Sequence, residues 1–152
     1  MIQRIQSIWL FLAGITVLLI LIVPIKGIQI GDVDTWIQGT GLFTSTAGSI
    51  QKTESFMPLT ISLVAVGLLC LVNIFNFRNR MLQKRFIWVA MALIVILSFW
   101  INQHSAKLPV STDKQYFGVG TFLPVLALIF CALASRGIRK DEALLRSADR
   151  LR

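Results

Sequence analysis

Four apolar blocks without a single Asp, Glu, Lys, Arg or His, at about residues 5–25, 56–77, 86–101 and 116–134, decide what this chain can fold into. A helix rises about 1.5 Å per residue, so roughly 20 apolar residues cross a hydrocarbon layer of about 30 Å. Within lipid the backbone polar groups must satisfy one another, which makes each block a helix. The third block is short, and Met81 and Leu82 ahead of it extend the helix. Hydrophobic residues make up 55% of the chain and charged residues 14%, against about a quarter charged in a soluble domain. The expectation is one membrane-embedded domain over residues 1–152.

The first block exceeds the roughly 7–15 apolar residues of a secretory signal. Val23-Pro24-Ile25-Lys26 also lacks the small residues of a cleavage site, so the helix is expected to be retained. Ser55 and Pro58 suit the start of the second helix, as cap and first-turn residue. Trp88 and Trp100 fit the aromatic belts at the two edges of a bilayer. Pro124, near the middle of the fourth block, predicts a kink there.

Lys and Arg set the orientation, because short basic loops stay on the cytoplasmic side. Arg4, the turn Arg78 to Arg85 and the tail 135–152 hold eleven basic residues. The loops 26–55 and 102–115 hold four, namely Lys26, Lys52, Lys107 and Lys114. Both termini are therefore expected in the cytoplasm, in a multi-pass protein of a bacterial inner membrane. The formal charge of +8 reads as this topology signal, since no nucleic-acid-binding pattern accompanies it.

The expected fold class is an all-α membrane protein, a four-transmembrane-helix up-and-down bundle. Alternation in Gly27-Ile28-Gln29-Ile30, with Trp36, Ile37, Leu42 and Phe43 among Gly and Thr, leaves room for short strands and a small antiparallel cap from the outer loops. The tail from Ile138 to Arg152 is rich in Ala, Leu, Arg and Glu and predicts a short cytoplasmic helix. Its apolar stripe and basic side chains, with Arg139, Lys140, Leu145, Arg146, Ala148 and Arg150, suit docking on a membrane or a partner. Small residues at Ala65, Ala90, Gly118, Gly120 and Ala127, together with Pro124, are candidate positions for helix packing.

Chemistry finds little footing. Asn73 and Asn76 are the most polar side chains in the blocks and suit capping or interhelical hydrogen bonds. His104, the only histidine, is expected at the interface, and Cys70 and Cys131 read as reduced packing residues. No catalytic motif, metal cluster or cofactor-binding pattern is recognisable. Asp32-Val33-Asp34 is the one suggestive pair, since alternate carboxylates on an extended chain can share a divalent cation.

Met1-Ile2-Gln3-Arg4-Ile5-Gln6-Ser7, the basic turn Arg78 to Arg85, and Ile138-Arg139-Lys140-Asp141-Glu142-Ala143-Leu144-Leu145-Arg146-Ser147-Ala148-Asp149-Arg150-Leu151-Arg152 together resemble an uncharacterised membrane family of Bacteroidota, classed as a domain of unknown function. The resemblance implies a four-helix inner-membrane protein and carries no activity with it. The plan of four helices with a long first outer loop, containing Trp36 and Gly41-Leu42-Phe43, is also similar to claudin-like proteins, but this loop has no cysteine. The function expected is a non-catalytic accessory or scaffold subunit of a larger inner-membrane assembly, with lipid and other membrane proteins as partners and no nucleic acid. The alternative is a lipid-linked substrate enzyme or metal-dependent binder using Asp32 and Asp34, and a small transporter stands third.

Overall fold

The structure is a computed structural model and describes residues 3–46, 49–76, 79–106 and 115–149. In chain order the elements are α1 (Gln3–Leu19), β1 (Lys26–Ile30), β2 (Val33–Gln38), β3 (Gly41–Thr46), β4 (Ser49–Ser55), α2 (Met57–Phe75), α3 (Arg80–Ser105), β5 (Gln115–Phe117), a 3-10 turn (Val119–Thr121) and α4 (Leu123–Asp149). The helices form an antiparallel ring in which α1 packs on α2 and α4, and α3 packs on α2 and α4. The strands form one antiparallel sheet of order β4-β3-β2-β1-β5 across one end of that ring.

This sheet corrects the all-α expectation: the fold is mixed, with four helices and five strands. Between α1 and α2 the chain runs as a meander whose ladders satisfy its backbone without a helix. Gly31, at φ +60°, takes the left-handed conformation that the tight β1–β2 turn requires. The β2–β3 turn plugs into the bundle, where Gly39 N–H donates to the Ile20 carbonyl at 3.0 Å and Thr60 Oγ1 to the Gly39 carbonyl at 3.1 Å. Ile28 and Ile37, both about 1% exposed, join the sheet to the helical core.

Three other boundaries differ from expectation. Regular α1 stops at Leu19, and i to i−3 hydrogen bonds from Ile20, Leu21 and Ile22 tighten the chain ahead of Pro24. Where the sequence predicts helix from Tyr116, β5 pairs with β1 instead, and α4 begins only at Leu123. Pro124 therefore sits in the first turn of α4, where its missing N–H costs nothing, rather than at a kink in the middle. The tail is not a separate helix, because α4 runs on through Gly137 to Asp149.

Helices α2, α3 and α4 are each long and apolar enough to cross a membrane, while α1 offers a shorter apolar helix, Ile5–Leu19. Small residues let α1 approach α2: a Cβ added to Gly14 would lie 3.2 Å from the Gly67 carbonyl, and one on Gly67 would lie 2.7 Å from the Leu18 side chain. Ala13, Ala127, Cys131 and Ala134 are fully buried, and Trp9 stacks on Phe130 where α1 meets α4.

Candidate functional site

Strand register builds the most distinctive surface. The cross-strand neighbours Tyr116, Gly27, Trp36, Phe43 and Lys52 form one row across all five strands. They alternate with Ile28 and Ile37, which face the core, so the row lies on the side of the sheet turned away from the helices. Trp36 and Phe43 stack with ring centroids 6.1 Å apart, and the Lys52 ammonium stands 5.8 Å from the Phe43 ring centre. A bulge in the β3–β4 ladder between Leu42 and Phe43 adds one residue to β4 and keeps Lys52 opposite Phe43. Trp36 and Phe43 are half-buried, Tyr116 and Lys52 exposed.

Tyr116 reaches its place because position 27 is glycine: a Cβ there would fall 2.4 Å from the phenol. The hydroxyl donates to both carboxylate oxygens of Asp34, at 2.9 and 3.1 Å. Loss of hydration, then the hydrogen bond to Asp34 and its charge, push the Tyr116 pKa up from 10 to about 12. Folding thus holds this proton more tightly, so the associated stability is whole below pH 10 and is lost as pH rises through about 12. Tyr116 is the only tyrosine, and tyrosinate absorbance follows it alone. The expected midpoint is about 12 in the wild type, shifted down toward 10 by Asp34→Asn. A wild-type midpoint at the ordinary value would mean that the ring is not docked on Gly27 and Asp34.

The structure places Asp32 and Asp34 in different settings. Asp32 lies in the exposed β1–β2 turn, and Asp34 is committed to Tyr116 in β2. Among the described residues no group of three or more His, Cys, Asp or Glu is placed to hold a metal ion.

At the opposite end of the bundle, the three sequence patterns set out above meet. Gln6 of the first donates through its side-chain amide to Asp141 of the last, and Lys84 of the turn pairs with Glu142. Asp141 is 7% exposed, and its second oxygen has no hydrogen-bond partner among the described residues. Gly137 lets Gln6 lie against α4, since a Cβ there would sit 3.0 Å from Gln6 Cγ. Nearby, Asn73 Nδ2 donates to the Gln83 carbonyl at 3.1 Å and Gln83 Nε2 to the Asn73 carbonyl at 3.3 Å, joining α2 to α3. These residues act as a structural joint.

Of the tail candidates, Arg139 and Lys140 are exposed, with Arg139 donating to the Ser135 hydroxyl at 3.4 Å, while Ile138 is fully buried in the bundle. Arg150 and the side chains of Leu145, Arg146 and Ala148 lie outside the described residues, as do Lys107 and Lys114. Ala90, Gly120 and Ala127 are buried, Gly118 and Pro124 are half-buried, and Ala65 is exposed. His104 packs its ring on Phe56 at 4.1 Å between centroids. Cys70 and Cys131 are free and buried, and their thiols meet between α2 and α4.

Sequence reasoning missed Gly14, Gly67, Gln6 and Asp141 as contact residues. The spacing Trp36 to Phe43 was the available signal for the aromatic row: two residues at matching distance from the Gly39-Thr40 turn must face each other in a hairpin.

Fold and site together define a sheet-capped four-helix protein in which three helices are long and apolar enough to cross a membrane and an aromatic row lies on the outer face of the sheet. The chain belongs to the family described as a domain of unknown function, DUF4293, which matches residues 2–151. No curated protein matches it.

Proposed function

We propose that this protein is a non-catalytic accessory subunit of a larger assembly in the inner membrane of a bacterium of the Bacteroidota. In this reading four helices cross the bilayer, both termini are cytoplasmic and the sheet lies outside. The apolar windows of α2, α3 and α4 are only 33%, 28% and 33% buried within the protein. That leaves broad apolar faces, among them Ile61, Val72, Val95 and Phe99, for which lipid is the fitting surroundings. The excess of Lys and Arg at the end away from the sheet supports the orientation.

The observation that carries the reading is the aromatic row. Trp, Tyr and Phe on a rigid scaffold are the residues that most often anchor protein partners, because they offer large contact areas at little entropic cost. Hydrogen bonding of Tyr116 to Asp34 and stacking of Trp36 on Phe43 hold the row in place before any partner arrives. Its occupant is an extramembrane segment of a neighbouring membrane protein.

A photo-crosslinking amino acid placed at Trp36 in living cells tests this. One or a few membrane proteins are expected in the adducts identified by mass spectrometry, and Phe43→Ala is expected to reduce their yield several-fold at unchanged abundance. The reading fails if the probe yields no protein adduct and Trp36→Ala complements a deletion strain in full.

A further inference from the structure

On the helix-facing side of the sheet stands a charge that the bundle core cannot use. Lys26 pairs in register with Ile37 on one side and Phe117 on the other, and Ile37 is buried against the helices. The half-buried Lys26 side chain therefore points toward the membrane level, with its ammonium 5.5 Å from the Phe117 ring centre. Beside it opens a groove of about 410 Å³ between α3 and α4, walled by Val95, Ile101, Phe117, Pro124, Val125 and Leu128. That volume lies within the roughly 300–1,000 Å³ of small-ligand sites.

The groove is mostly apolar, with Ser98, Asn102, Ser105 and Thr121 as its uncharged polar lining. Ser98 gives its hydroxyl to the Ile94 carbonyl at 2.7 Å, Ser105 to Ile101 at 3.0 Å and Thr121 to Ile25 at 2.5 Å. Each of these hydroxyls is satisfied by backbone, so apart from the exposed Asn102 amide and the Lys26 ammonium the lining presents hydrocarbon. Along α3 the lining runs from Val95 to Ser105, about 15 Å of helix, which is half of a hydrocarbon core of about 30 Å. Val95, Val125 and Phe117 are exposed at its margins, so it is open sideways, toward lipid.

We infer that this groove binds a membrane phospholipid, with one acyl chain between α3 and α4 and the headgroup phosphate against Lys26. The inference rests on the membrane reading above but not on the aromatic row or on any protein partner. An empty apolar crevice forfeits dispersion contacts that a flexible chain supplies, and an ammonium at headgroup depth selects an anion.

The test uses the full-length protein reconstituted in phosphatidylcholine vesicles that contain phosphatidylglycerol carrying a photoactivatable acyl chain. Adducts are expected to concentrate on the peptides that contain Val95 and Val125. Lys26→Gln is expected to lower them about fivefold, the factor one basic group near an anionic headgroup supplies, while Lys26→Arg retains them. Val125→Trp, a change at an exposed wall that leaves the core untouched, is expected to block the groove and abolish them. Equal labelling of the exposed α2 residues Ile61 and Val72 would reduce the groove to ordinary surrounding lipid and overturn the inference. So would labelling that ignores Lys26→Gln. Protein that fails to float with the vesicles would sink the membrane reading itself, a result distinct from even labelling.

Discussion

Gln6→Leu is expected to destabilise the folded protein by about 3 kcal/mol, more than a single neutral hydrogen bond is worth, because it strands a buried charge. In the wild type the Gln6 amide is the donor to Asp141, whose other oxygen already has no partner among the described residues. Asp141→Leu leaves only a neutral amide unpaired and is expected to cost less, about 1–2 kcal/mol. The double replacement removes both polar groups and is expected to recover most of the loss, as paired apolar substitutions do. Thermal unfolding of the four purified proteins in a mild detergent closes this cycle. Strictly additive losses would show that the two side chains do not act on each other, and the joint between α1 and α4 would have to lie elsewhere.

Gly118→Ala is expected to cost about 3 kcal/mol, the upper end of what overpacking does. The new Cβ would fall 2.1 Å from the Pro24 carbonyl oxygen and 2.7 Å from its carbon, and backbone cannot swing aside as a side chain would. The same stretch carries the Gly118 N–H bond to Ile25 at 2.8 Å and the Gly120 N–H bond to Pro24 at 3.0 Å. Moving it therefore loosens the attachment of β5 and the start of α4 to the segment after α1. Val119→Ala, one residue away at a 71% exposed position, is the control and is expected to change stability by less than about 0.5 kcal/mol. Unfolding midpoints measured side by side decide the matter. A Gly118→Ala protein as stable as the control would mean that the chain passes Pro24 at a greater distance.

The helical regions were legible because each apolar block is long and uncharged, and a helix satisfies its backbone within a single segment. The sheet was legible only as fragments. Its strands are three to seven residues long, too short for alternation to outweigh a strongly apolar context. Gln115–Phe117 adjoins an apolar block, so strand and helix read alike there until β1 is known to lie beside it. Pro124 misled for the same reason: its position within the apolar block differs from its position within the helix. Asp32-Val33-Asp34 was read as extended, but the turn at Gly31 takes Asp32 out of the strand. The contact of Gln6 with Asp141 joins residues 135 apart, and no local pattern in one sequence announces such a pair. The terminal patterns that stood out as distinctive are explained in part by that meeting.

The packing of α1 on α4 has a consequence in time. A chain emerges from the ribosome N-terminus first, so α1 is made before α2, α3 and α4, and its long-range partner α4 arrives only after the other two. Until residues beyond Leu123 arrive, the α1 face bearing Leu10, Ala13 and Val17 has only part of its eventual cover. The same delay holds at the sheet, where β1 waits for β5 while β2, β3 and β4 can zip up behind it. Late closure of this kind leaves the nascent protein open along one seam for most of its synthesis. A chain cut short before α4 would retain that open seam, whichever of its other contacts had already formed.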